Sequence, residues 1–253
     1  MNERPIVDTN CDACAISTGK AISGAGPLDL SKIKLVIVSD TMSYYDEEEG
    51  KAFVSNDKYR KPRRLKSGKL TIEKPRNGAS FMRYELQKLG LDPDIDCWMT
   101  NIIKCHPGKV RPKDKEAKQC ARKWFADELT ILGLYNPTVP ILIAGNIAFK
   151  AIKNIYRDCS FAPYNLKQCF RTDHHTLINH PVFFTANPAT VSSTEWSVED
   201  TVMIDQNNRA EVVSKKTITP PIFSPIWIYE KDLEPLDKFL NPDKFSISSA
   251  ILF

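Results

Sequence analysis

The chain has 253 residues, of which 42% are hydrophobic, and a formal net charge of only +4 at pH 7. A chain of this length can bury a full core in one domain, and so mild a total charge does not by itself require an anionic partner. No apolar run is long enough to cross a bilayer, and the first residues do not resemble a secretory signal. We therefore expect a cytoplasmic protein without membrane contact, in a compartment where disulfides are rare.

Strand and helix patterns alternate along the chain. Four short apolar runs rich in β-branched or aromatic residues are typical of buried strands: residues 33–38, 97–103, 141–144 and 182–185. Three helical patterns lie between them: residues 80–89, 114–132 and 147–155. This alternation predicts an α/β fold, a three-layer α/β/α sandwich with a central, mainly parallel four-stranded sheet.

The carboxyl ends of these strands carry polar residues, and ligands bind at that edge of such sheets. Asp40, Asn101, Asn146 and Asn187 stand at or just after the predicted strand ends. Asp and Asn are also common wherever a strand turns into a loop, so their position alone leaves a ligand site and an ordinary turn equally open.

Positive charge is concentrated at residues 58–76, which hold nine Lys and Arg residues against one acid, Glu73. This stretch lies within residues 55–77, a polar segment interrupted by two prolines, and the pattern predicts an exposed insertion. We expect one domain at residues 1–205 that carries this insertion, and a C-terminal extension at residues 206–253 packed on the core. We expect the chain to be a monomer.

Four of the seven cysteines form two pairs. Cys11 and Cys14 are a C-x2-C pair, and Cys105 and Cys120 have fourteen residues between them. Four thiolates brought together by these pairs would suit zinc or a [4Fe–4S] cluster. Two unrelated pairs of buried thiols, or a redox-active C-x2-C pair, also explain the spacing.

Several motifs follow one another in a recognisable order over about residues 11–191. The C-x2-C pair is followed by a strand and by residues 39–55, which contain an acidic pair, Gly50 and Phe53-Val54. Residues 100–107 then read Thr-Asn-Ile-Ile-Lys-Cys-His-Pro, and residues 185–189 read Thr-Ala-Asn-Pro-Ala. This order resembles the uracil-DNA glycosylase superfamily, in particular its iron–sulfur branch, family 4, of which the chain looks like a divergent member.

The resemblance implies a four-cysteine [4Fe–4S] cluster, which selects iron over zinc, with Cys11, Cys14, Cys105 and Cys120 as its ligands.

The resemblance also implies a pocket for a nucleotide flipped out of DNA. Phe53 would stack on the flipped base, Asn101 would read the pyrimidine edge, and Asp40 would orient or activate the hydrolytic water. Two neighbours of Asp40 would complete the pocket, namely Ser39 and Thr41. The insertion would lie along DNA phosphates through its basic residues, among them Arg60, Lys61, Arg63, Arg64 and Lys66.

Three departures from the family pattern bear on the chemistry. The pocket motif at residues 39–43 lacks the family's two glycines and proline, and the insertion at residues 55–77 is long. Asn187 stands where the family has a catalytic histidine, and an Asn amide donates a hydrogen bond but carries no positive charge. The chain has four histidines, His106, His174, His175 and His180, and none of them is a convincing substitute. Most of residues 46–49 is explained most simply as an exposed run of charge.

These features lead to two hypotheses. The first is a DNA glycosylase that excises a uracil-like or modified pyrimidine, such as those of some phage genomes. The alternative is a catalytically weakened DNA-binding accessory protein of replication or repair. A purely structural role would leave Asp40, Asn101 and the basic insertion unexplained.

Overall fold

A computed structural model of the chain describes residues 10–12, 14–16, 19–59, 62–64, 66, 70–72, 77–156, 175–177, 179–189, 198–204, 210–217 and 225–246. The strands are β1 (Asn10–Cys11), β2 (Gly19–Lys20), β3 (Leu35–Thr41), β4 (Pro62–Arg64), β5 (Leu70–Ile72), β6 (Cys97–Ile103), β7 (Ile141–Ala144), β8 (His175–Leu177), β9 (His180–Thr185), β10 (Val198–Ile204) and β11 (Ala210–Thr217). The α-helices are α1 (Tyr44–Glu49), α2 (Gly78–Lys88), α3 (Asp114–Cys120), α4 (Ala126–Tyr135), α5 (Asn146–Ile155), α6 (Pro225–Leu240) and α7 (Pro242–Ser246). None of the helices in these ranges is both long and apolar enough to span a membrane.

The central sheet has the strand order β6-β3-β7-β9-β8. Its first four strands are parallel, which confirms the predicted four-stranded parallel core. The short strand β8 adds an antiparallel edge that the sequence did not predict. Three residues are too few to show a hydrophobic period, so no pattern marks this strand.

Alternate residues of the buried strands supply two hydrophobic clusters, one on each face of the sheet. Val36 and Val38 of β3 pack in the cluster that contains apolar residues of α3, α4 and α5. Leu35 and Ile37 pack in the cluster that contains apolar residues of α2 and α6. The sheet is therefore covered by helices on both faces, and the predicted three-layer fold is confirmed.

The polar residues that follow Val38 belong to β3 itself. The strand was predicted to end at residue 38, but its pairing with β6 continues as far as Thr41 opposite Ile103. Since β3 lies between two neighbouring strands, its ladder of backbone hydrogen bonds extends past its apolar run. Ser39, Asp40 and Thr41 consequently alternate between the two faces instead of forming a loop.

The two segments flanking the predicted domain boundary are paired with each other. Ile204 of β10 lies opposite Ala210 of β11 in an antiparallel hairpin, so the predicted boundary after residue 205 falls between two paired strands. Leu233 and Leu236 of α6 are buried in the core cluster on the α2 side. The division into a domain and an extension stays a prediction.

A buried ion pair joins α4 to the residue that follows β6. Lys104 and Glu128 are each 1% exposed, and Lys104 Nζ lies 2.5 Å from Glu128 Oε2. Glu128 also accepts hydrogen bonds from Trp98 Nε1 (3.1 Å), Thr100 Oγ1 (2.8 Å) and the Gly24 amide (3.1 Å). These partners satisfy a carboxylate that would be costly to bury alone, since breaking such a pair typically costs about 3–5 kcal/mol.

Candidate active site

A cleft of about 300 Å³ opens at the carboxyl edge of the sheet, on the face covered by α2. Five residues predicted from the sequence line this cleft: Ser39, Thr41, Phe53, Asn101 and Asn187. Asn101 lies opposite Ser39 in the β3–β6 ladder, which explains why residues from separate motifs meet here. Asp40 is not among the residues that line the cleft.

Asp40 points to the other face of the sheet because it alternates with Ser39 and Thr41 along β3. Its Oδ1 accepts a hydrogen bond from the Ala148 amide in the first turn of α5 at 2.8 Å. Its Oδ2 accepts one from Asn187 Nδ2, also at 2.8 Å. Burial raises the pKa of Asp40 above its ordinary value, although these hydrogen bonds oppose the shift. The carboxylate thus joins three elements and is nearly closed off from solvent.

The turn into α5 is built closely around this carboxylate. Gly145 has a φ of +123°, a backbone conformation that residues with a side chain rarely adopt. A Cβ there would lie 2.4 Å from Asp40 Oδ1. Only glycine lets the backbone approach so closely. A carboxylate at the positive end of a helix is also stabilised by the helix dipole.

Asn187 is held at both ends of its amide. Nδ2 donates to Asp40, and Oδ1 accepts from the Ala189 amide at 2.8 Å. These partners fix which end of the side chain is nitrogen, since a carboxylate only accepts and a backbone amide only donates. One amide hydrogen of Asn187 is not used by these two bonds, and Asn187 lines the cleft.

Phe53 is held in a strained backbone conformation. Its φ is 57°, and it is the one non-glycine residue with positive φ in the described part of the chain. Such a conformation costs about 1–3 kcal/mol and persists where the surroundings enforce it. Arg83 Nε donates to the Phe53 carbonyl at 3.0 Å, and the Arg83 guanidinium makes two bonds of 2.9 Å to Asp94. Phe53 is only 4% exposed and its position on the cleft wall is firmly set.

Most of residues 46–49 was expected to be an exposed charge run, and Asp46 is an exception because it is buried. Asp46 completes a capping box with Ser43 at the start of α1 and accepts from the Ser43 amide at 2.6 Å. Its other oxygen accepts from the Val54 amide at 2.7 Å. Burial raises the pKa of Asp46 above its ordinary value. This carboxylate therefore joins Ser43, at the start of α1, to Val54, which follows Phe53.

Asn101 and His106 lie at the end of β6 and in the turn that follows. Asn101 is buried, with Nδ2 3.1 Å from the sulfur of Met42. His106 lines the cleft, although the sequence placed it only beside a cysteine, and its Nδ1 lies 3.2 Å from the Met42 carbonyl. Since a carbonyl only accepts, Nδ1 carries the proton of this bond. The sequence did offer one signal that His106 lies at the site. It follows the predicted strand that became β6, and residues just after that strand lie at the sheet edge where the cleft opens.

The predicted DNA-binding residues fall on or near a short hairpin. Arg63 and Arg64 belong to β4, which pairs with β5, and Lys66 is exposed in the turn between them. Arg60 and Lys61 lie outside the described residues.

The base of this hairpin is joined to the cleft wall. The Asn77 amide donates to Asn56 Oδ1 at 2.9 Å, and Asn77 Nδ2 donates to the Val54 carbonyl at 2.8 Å. Asn77 itself lines the cleft, so the basic insertion begins and ends at the site.

The four predicted cluster ligands lie in β1, the bend after it, the bend that follows β6 and the end of α3. Cys105 and Cys120 are buried, and Cys11 and Cys14 are half-buried. The Lys104 amide donates to Cys120 Sγ at 3.3 Å. Burial, opposed by this hydrogen bond and reinforced by the charges of Cys105 and Cys11, raises the pKa of the metal-free Cys120 thiol to about 12.

Within the described residues, no group of three or more His, Cys, Asp or Glu side chains is placed to hold a metal ion. Four thiols are the donor set that a [4Fe–4S] cluster takes, and an amide that donates to a thiolate sulfur is a feature that tunes such clusters. The cluster itself stays a prediction.

Residues 26–204 match the family model of the Uracil DNA glycosylase superfamily. The chain therefore belongs to this superfamily, and membership indicates a DNA glycosylase that acts on uracil-type bases in DNA repair. No curated protein matches the chain. The matched region begins after Cys11 and Cys14, and assignment to the iron–sulfur branch stays a prediction.

Asp46→Asn should destabilise the protein, because an amide retains only one acceptor oxygen and places a donor against a backbone N–H. We expect a loss of about 1–3 kcal/mol in the free energy of unfolding, measured by urea denaturation. Glu48→Gln is the matched control, since Glu48 is exposed on the same helix and bonds to Tyr44 Oη. Equal stability of the two variants would show that Asp46 does not hold the loop.

Proposed function

We propose that the protein is a DNA glycosylase that flips a uracil-like or modified pyrimidine out of DNA and hydrolyses its N-glycosidic bond, leaving an abasic site. The observation that supports this most is the meeting of Phe53, Asn101 and Asn187 on one cleft in a chain of this superfamily. An aromatic ring and two amides are the groups needed to stack a base and to hydrogen-bond its edge.

The roles of Phe53 and Asn101 follow from their chemistry. Stacking of a base on an aromatic ring is worth about 1–3 kcal/mol and tolerates different bases. The strained backbone of Phe53 and its bond to Arg83 hold the ring before the base arrives. Asn101 offers an acceptor and two donors, the complement of a pyrimidine edge.

Asn187 would stabilise the leaving base. When the N-glycosidic bond breaks, negative charge develops on a pyrimidine oxygen, and a preorganised donor lowers the energy of that state. The two bonds that pin the Asn187 amide hold it before reaction begins. An amide does not carry the positive charge of an imidazolium, so this donor is weaker than the family's histidine.

We infer that Asp40 acts through Asn187 rather than directly on the hydrolytic water. Both Asp40 oxygens accept hydrogen bonds, and the side chain lies behind Asn187, away from the cleft wall. A carboxylate in this place polarises the amide and sets its direction. Asp40 is therefore a positioning residue.

An altered substrate is supported by the cleft wall around Met42. Thr41 and Ser43 line the cleft where the family has small or rigid residues, and they add hydroxyl groups next to Met42. Hydroxyl groups at this wall suit a pyrimidine with a polar substituent.

The alternative, an accessory protein that binds DNA without excision, is favoured by the weakened donor at Asn187.

Base excision tests the proposal directly. Purified protein is incubated with duplexes that contain uracil, 5-hydroxymethyluracil or another 5-substituted uracil, and abasic sites are scored by alkaline cleavage. We expect one of these bases to be excised and Asn101→Ala to lower that rate by about 10²–10³-fold. Asn154→Ala, an exposed asparagine on α5, is the control. Unchanged DNA with every base, together with tight DNA binding, would favour the accessory protein.

A double-mutant cycle tests the role of Asp40. Asp40→Asn retains an oxygen for the Ala148 amide but places a donor against Asn187 Nδ2, so excision should slow. In an Asn187→Ala background the same change should alter the rate by less than about twofold, because the group through which Asp40 acts is gone. Thermal unfolding checks that all variants fold. A loss of equal size in both backgrounds would assign Asp40 to the water instead.

We propose that the four cysteines hold a [4Fe–4S] cluster, the cofactor expected from the sequence. Cys11, Cys14, Cys105 and Cys120 would be its ligands, and its contribution would be to stabilise the fold beside the site. An ion pair supports this arrangement, since Lys123 Nζ lies 2.9 Å from Asp12 inside the C-x2-C pair and follows Cys120 in the chain. The Lys104 amide at Cys120 is a second support.

Iron and acid-labile sulfide in anaerobically purified protein test the cluster. We expect a brown protein with both elements in equal amounts, and we expect Cys14→Ser and Cys120→Ser to lose iron. Cys97→Ala is the control, because Cys97 is buried in the other core cluster. A colourless wild-type protein that contains zinc would contradict the cluster and leave the glycosylase proposal intact.

A further inference from the structure

The loop between β6 and α3, residues 106–113, forms one side of the cleft mouth, and we call it the rim loop. Pro107 and Gly108 line the cleft itself. Gly108 has a φ of +60°, and no atom lies within 4 Å of the place where its Cβ would be. The chain therefore turns at the cleft wall and continues into open space.

Three consecutive exposed side chains follow this turn, namely Lys109, Val110 and Arg111. Val110 is 55% exposed, although it is apolar.

Neither cation of the rim loop is neutralised within the described part of the chain. No salt bridge joins Lys109 or Arg111 to a described acidic side chain. The two acids that follow the loop are engaged elsewhere, since Asp114 pairs with Lys150 at 3.7 Å and Glu116 accepts from the Lys113 amide at 2.9 Å. Two like charges are thus presented together at the mouth of the cleft.

The backbone of the rim loop is also restrained. Pro107 and Pro112 enclose the tip, and each fixes its own φ and limits the residue before it. The His106 ring anchors the start of the loop, because its Nδ1 donates to the Met42 carbonyl. A restrained loop loses little entropy when its cations bind a ligand.

We propose that the rim loop is a DNA-contact surface, in which Lys109 and Arg111 bind the phosphates that flank the nucleotide in the cleft. Val110 lies between the two cations and would contact the sugar and base edges there. The surface is separate from the basic hairpin, which leaves the cleft at Asn77, so the DNA would be held from two walls. This inference rests on the proposed function in that it takes DNA as the ligand.

Binding measured without catalysis tests this surface. The probes are a labelled duplex with a tetrahydrofuran abasic residue and the same duplex intact, titrated by fluorescence anisotropy at several salt concentrations. For Lys109→Ala with Arg111→Ala we expect about tenfold weaker binding and a logarithmic salt slope smaller by about two, because two phosphate contacts are lost. Val110→Ala should weaken binding without changing the slope, since it removes no charge.

The matched control is Lys32→Ala with Lys34→Ala, two exposed cations at the opposite edge of the sheet. This control should bind both duplexes like the wild type. A rim-loop double variant that binds like the wild type would overturn the surface while leaving base excision untouched. If that variant binds DNA more weakly and the wild type excises no base, the result would support the DNA-contact surface and contradict the glycosylase proposal. Failure of the wild type to bind either duplex would overturn both.

Discussion

The arrangement of the site depends on the hydrogen bonds of one carboxylate, that of Asp40. It is carried by the central strand β3, receives the amide of Ala148 in α5, and receives the side chain of Asn187 after β9. These elements meet at one point because the parallel strands all end at this edge. The approach is so close that residue 145 has no room for a side chain. Since the carboxylate belongs to the sheet, the direction of the Asn187 amide is set by the fold itself.

A second buried charge connects the cysteines to the same framework. Lys104 places its ammonium against Glu128 in the core, while its backbone amide donates to Cys120. The chain therefore leads from Asn101 of β6, on the cleft wall, to Lys104 and Cys105 just after the strand ends. Any displacement of Cys105 also moves Lys104, and the buried pair opposes that displacement because separating it leaves a charge in the core. Cys105 is thus joined to the cleft wall by a short stretch of chain that contains one partner of the buried pair.

Much of the parallel core was predictable, because buried strands are apolar runs. Two of these runs, Cys97–Ile103 and Ile141–Ala144, agree with the structure residue for residue. The end of β3 was not, since Ser39–Thr41 are polar and are held in the strand by neighbours that no local pattern shows. Asp46 was misread for a similar reason. The segment around Asp46 has the acidic composition of an exposed run. Asp46 is buried because the chain returns beside it at Val54. The order of the motifs predicted which residues line the cleft. It did not predict that Asp40 points away from the cleft, because that orientation follows from strand alternation and depends on where β3 ends.

The replacement of a histidine by Asn187 has a consequence that follows from geometry. An imidazolium stabilises a departing base by charge, whereas a neutral amide does so only by a directed hydrogen bond. Its strength depends on how well it is aligned, and Asn187 is aligned by partners at both ends. His106, on the same cleft, has its Nδ1 proton committed to the Met42 carbonyl, so in the neutral form its other nitrogen accepts rather than donates. The stabilisation that Asn187 can give a departing base therefore depends on how firmly Asp40 and Ala189 direct its amide.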